Sequence, residues 1–90
     1  MSAYKPSDTA KKLISLLMNA QDLSINHSSR TLALDTIQSC IIFCKARNIT
    51  NLNDVFDSLS YSIKNQNPQV LKESFEKAEN FIIASDLKKK

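Results

Sequence analysis

Residues 29–47 read SRTLALDTIQSCIIFCKAR, and apolar side chains recur along them at helical spacing on more than one side. Ala33, Leu34, Ile37, Cys40, Ile41 and Cys44 form the main stripe at about 100° per residue. Leu32, Thr36, Ser39 and Phe43 form a second row on the opposite side, at spacings of four, three and four. Only a strip containing Thr31, Asp35, Gln38 and Lys45 is clearly polar. A helix apolar on two sides is either central in its own fold or packed against a partner. This second helix therefore implies a helical bundle around it.

The flanking sequence supplies the other helices. Pro6 holds the chain extended ahead of Ser7 and Asp8, which can cap a helix over 7–24. Ala10, Leu13, Ile14, Leu16, Leu17, Met18 and Ala20 fill a broad arc of it. A loop, Ile25-Asn26-His27-Ser28, leads to the second helix at 29–47. Asn48–Asn51 forms a polar break. Asn51, with Asp54 three residues on, then predicts a capped third helix over 52–65, striped by Leu52, Val55, Phe56, Leu59 and Ile63. Asn67 as cap and Pro68 at the first helical position open the fourth, over 68–87, with Leu71, Phe75, Ala78 and Ile82 as its stripe. The linkers are short, which favours antiparallel neighbours. The expected fold is all-α: a compact bundle of about four short-linked antiparallel helices in one domain, 1–87, followed by a basic tail, 88–90.

Composition agrees. The 90 residues include no glycine, so the positive-φ positions that hairpin turns, phosphate-cradling loops and nucleophile elbows need are hard to supply. The longest uninterrupted apolar run, Cys40-Ile41-Ile42-Phe43-Cys44, is far shorter than the roughly 20 residues of a membrane span. No secretory signal is convincing, so a cytoplasmic location and no membrane span are expected. The net charge of +3 belongs entirely to Lys88, Lys89 and Lys90, since residues 1–87 carry nine basic and nine acidic side chains.

The chemistry-bearing residues are few. Cys40 and Cys44 lie four apart on one helix face, but a structural zinc site needs about four ligands and no second pair exists. They read as small buried hydrophobes. His27, the sole histidine, precedes the second helix, about 18 Å along it from Cys40, and without a glycine turn to build an oxyanion site it reads as a polar loop residue. Glu73, Glu76, Glu79 and Asp86 fall on the outer arc of the fourth helix as a solvated face, and Tyr4 and Tyr61 read as scattered surface tyrosines. No catalytic residue, metal ligand or cofactor site is expected.

What remains is the surplus row Leu32, Thr36, Ser39 and Phe43. It is either covered by the chain's other helices or forms a seam for a second copy or another protein, its small Thr36 and Ser39 allowing close helix approach. Size and short-linked layout resemble small bacteriocin immunity proteins and small helical secretion chaperones. That resemblance is architectural and assigns no residue a role. The expected function is a non-enzymatic interaction protein (an adaptor, chaperone, immunity or regulatory factor), with self-association of the second helix as one route. The alternative is a nucleic-acid-associated regulator using Lys11, Lys12, Arg30, Arg47 and the tail Lys88, Lys89 and Lys90.

Overall fold

The computed structural model describes residues 3–65 and 68–88. Four helices follow one another: α1 (Asp8–Ser24), α2 (Arg30–Ala46), α3 (Asn53–Asn65) and α4 (Pro68–Lys88), with a 3-10 turn at His27–Ser29 ahead of α2. Helix α1 packs on α2 and α4, and α3 also packs on α2 and α4, so the antiparallel bundle is a closed ring of neighbours. The helix ends differ from the sequence expectation by only a residue or so. The expected Asn67 cap lies outside the described residues.

The core is built on one spacing used four times. Leu13, Leu17, Ala20 and Ser24 are buried on α1; Ala33, Ile37, Cys40 and Cys44 on α2. Leu52, Phe56, Leu59 and Ile63 follow at α3, and Leu71, Phe75, Ala78 and Ile82 on α4. Each quartet is spaced four, three, four, and each begins 19 or 20 residues after the last. Alternating steps of three and four keep side chains on one face of a helix and let the ridges of one helix enter the grooves of the next, as in left-handed bundles. Large Phe56 and Phe75 share this core with Ala20, Ala33 and Ala78, so volume is balanced across the bundle. Ser24, the one hydroxyl in the quartets, donates to the Gln21 carbonyl at 2.8 Å, which satisfies it without leaving its own helix.

The lack of glycine is met at the end of α2. Asn48 has φ 59°, in the left-handed region that asparagine tolerates better than most residues. Its N–H donates to the Lys45 carbonyl (3.2 Å), and the Ile49 N–H donates to the Cys44 carbonyl (2.9 Å). That is the Schellman pattern, with Ile49 buried as its hydrophobic partner. The stretch expected as a polar break thus carries a core residue.

Helix α3 starts differently from the expectation. The Leu52 carbonyl accepts from the Phe56 N–H at 3.1 Å, which puts Leu52 at the cap position. Asn51 turns away and donates through Nδ2 to Ser85 Oγ on α4 at 2.8 Å.

A larger correction concerns Asp86. It is not on a solvated outer arc but buried, 7% exposed. Burying a carboxylate demands donors, and they come from the other end of the chain. Tyr4 Oη donates to Asp86 Oδ2 at 2.7 Å, the Ser7 N–H donates to the same oxygen at 3.1 Å, and Ser7 Oγ donates to Oδ1. Ser7 is the N-cap of α1, and its Oγ also accepts from the Ala10 N–H at 3.2 Å. Asp86 therefore does from α4 what the glutamate of a capping box does within its own helix, and its charge lies against the positive pole of α1. Tyr4 is accordingly not a free surface tyrosine. Its phenol is pushed up to about 12 by desolvation, by the hydrogen bond to Asp86 and by that residue's charge.

Candidate functional site

The second row of α2 divides on folding. Leu32 is 56% exposed and Ser39 is exposed, whereas Thr36 and Phe43 are half-buried. The row lies about a third of a turn round from the core stripe rather than opposite it, and the helix neighbours of α2 are α1 and α3. Phe43 packs against the core at one edge, and the Arg47 guanidinium lies 3.8 Å from its ring centroid. That stacking places a cation on an aromatic face and shields the ring from water. The two hydroxyls are occupied locally: Thr36 Oγ1 donates to the Leu32 carbonyl (2.9 Å) and Ser39 Oγ to the Asp35 carbonyl (3.2 Å). The row thus offers a partner hydrocarbon rather than free donors. Ile42, 64% exposed, lies three residues after Ser39 within the strip of Thr31, Asp35, Gln38 and Lys45, so it adds an apolar side chain at the outer edge of the row.

The basic residues separate into two groups. Because the helices alternate in direction, Lys11 and Lys12 near the start of α1, Arg47 at the end of α2 and Lys88 at the end of α4 share one end of the bundle, all exposed. Arg30 opens α2 at the other end and is half-buried. Lys89 and Lys90 lie outside the described residues.

The remaining chemistry is sparse in space as well. Cys40 and Cys44 are buried thiols not joined in a disulfide, and burial together with neighbouring Cys44 pushes the Cys40 thiol up to about 12. A thiol held that far from ionisation is a poor nucleophile and metal ligand. His27 is exposed in the turn between α1 and α2, at the opposite end of the bundle from Ser7 and Asp86. Among the described residues no group of three or more His, Cys, Asp or Glu side chains could hold a metal ion, and no helix is long and apolar enough to cross a membrane.

One feature was not read from the sequence. Between α3 and α4 runs an open groove of about 370 Å³, walled by Val55, Ser58 and Ser62 on one side and Ser74, Lys77 and Phe81 on the other. Three of its wall positions are serines, whose short side chains leave part of it unfilled. The small residues four apart in each helix, Ser58 with Ser62 and Ser74 with Ala78, were the available signal, but a groove needs both helices side by side to exist. The chain matches no protein-family model, no curated protein and no solved structure.

Proposed function

We propose that this protein is a non-enzymatic helical interaction module, an adaptor, chaperone, immunity or regulatory factor, that binds another protein across the outer surface of α2. The observation that carries the reading is the exposed Leu32 in one row with a half-buried Phe43, and the exposed Ile42 at the outer edge of that row, whose hydroxyls are already bonded within the helix. Such a surface suits an apolar ridge from a partner helix. Because Phe43 also touches the core, the cleaner probes are Leu32→Glu and Ile42→Glu. Both variants should keep wild-type helicity and melting behaviour while losing a partner captured by the wild-type protein from native extract. A control at Lys72, which is exposed on α4, should keep it. Capture unaffected by either glutamate would remove α2 from the interaction.

A second reading has its own observation, the gathering of Lys11, Lys12, Arg47 and Lys88 at one end of the bundle. This would serve a nucleic-acid-associated regulator whose affinity falls steeply with salt. Removing residues 88–90 should then flatten that dependence, and no binding to DNA or RNA at low salt would retire it.

A further inference from the structure

Helix α4 leaves two large apolar side chains exposed on the flank that faces α3. Val70 is 38% exposed and Phe81 47%, and Phe81 stands at the edge of the α3–α4 groove. The groove has room for an aromatic side chain, at about 370 Å³. Its hydroxyls make little demand on an occupant: Ser74 Oγ donates to the Val70 carbonyl (3.1 Å) and lies 3.4 Å from Ser62 Oγ. The same face presents one charge of each sign, Asp54 from α3 and Lys77 from α4, both exposed. Protruding ring, receiving groove, acid and base thus occupy a single surface.

We propose that this face is the contact between two copies of the chain, related by a two-fold axis, with Phe81 of each copy seated in the groove of the other and Lys77 of each meeting Asp54 of the other. An isologous contact requires a patch that is complementary to itself, and a patch holding both members of an ion pair satisfies that requirement. A partner bearing a single sign of charge would be attracted at one of these residues and repelled at the other, which favours the second copy as occupant. The contact is separate from the α2 surface and leaves Leu32 and Ile42 free for another protein.

The test is solution mass by light scattering and sedimentation, from micromolar to sub-millimolar protein. Wild type should reach twice the chain mass. Phe81→Ser should weaken the dimer by about thirtyfold, as truncation of a central aromatic anchor does, with helicity unchanged because Phe81 supports no core quartet. Ser58→Arg, which fills the groove from an exposed position and pairs with Asp54 one turn earlier, should do the same without loss of fold. Asp54→Lys should weaken the dimer, and adding Lys77→Asp to it should restore association. A wild-type protein that is monomeric throughout overturns the proposal, as does a dimer indifferent to Phe81→Ser and to the charge exchange. A dimer broken by Leu32→Glu and not by Phe81→Ser also overturns it, while leaving the α2 interaction reading standing.

Discussion

Helices α2 and α4 carry the same pattern and meet different fates. Leu32, Thr36, Ser39 and Phe43 on α2, and Val70, Ser74, Lys77 and Phe81 on α4, each stand one residue before the members of a buried quartet. On α2 the phenylalanine is half-buried against the core and covered by Arg47. On α4 it is 47% exposed beside an open groove. The difference comes from the neighbours. In the equivalent register α1 carries Leu16 and Leu23 where α3 carries Val55 and Ser62; Val55 packs against the core as the two leucines do, so the contrast lies at Leu23 against Ser62. The groove beside Phe81 is lined by Ser58, Ser62 and Ser74 together with Val55, so part of its wall is too short to fill it. A helix's own pattern says which flank can be apolar; the size of the side chains opposite decides whether that flank is filled.

The two helices also end differently, and this is where the comparison can be broken most forcefully. Helix α2 is closed by its own backbone at Asn48, whereas α4 spends Asp86 on the start of α1. Asp86→Ala should therefore be the most damaging of these substitutions, by about 2–3 kcal/mol, because it strands the Ser7 N–H and two hydroxyls. Equilibrium urea unfolding followed by far-UV circular dichroism measures it. If Asp86→Ala unfolds like wild type, the clasp contributes nothing and α4 ends as autonomously as α2.

Next in size, Phe43→Ala should cost about 1–2 kcal/mol, part of the full price of a core aromatic. Phe81→Ala, measured on the monomer at low protein concentration, should stay within about 0.5 kcal/mol, as surface substitutions do. Equal costs would mean that the two flanks are equally buried. Asn48→Ala should cost about 1 kcal/mol through the left-handed backbone, and Asn48→Gly should be neutral or stabilising; thermal melts separate the two.

The smallest effect is read in alkali. The Tyr4 phenol holds its proton more tightly folded (about 12) than its ordinary value of 10.0. Its contribution is fully present below pH 10.0 and is lost as the pH rises through about 12. Tyr4→Phe should flatten the unfolding free energy over that window relative to wild type. An unchanged slope would show that Tyr4 ionises alike in both states.

Much of the bundle was legible because each buried quartet repeats at helical period within a single segment, so Leu13, Ile37, Phe56 and Phe75 announced their faces unaided. The sites were less so. Ile49 sits among polar residues, and only the Schellman turn at Asn48 carries it inward. Asp86 has the sequence surroundings of a solvated carboxylate, and its donors lie 79 and 82 positions earlier. The seam on α2 is a single row in the sequence, yet Leu32 is exposed while Phe43 packs against the core beneath Arg47.

The amino-acid order alone set the helix number, their approximate ends and which stripe each turns inward, since those depend on residues three and four apart. The packed structure alone decided that Asp86 would be buried, that Phe43 would be half-covered and Phe81 left beside an open groove, and that four basic residues would share one end. Each of these depends on groups brought together from distant parts of the chain, and the energy of a buried charge or an unfilled groove resides in the pair rather than in either partner.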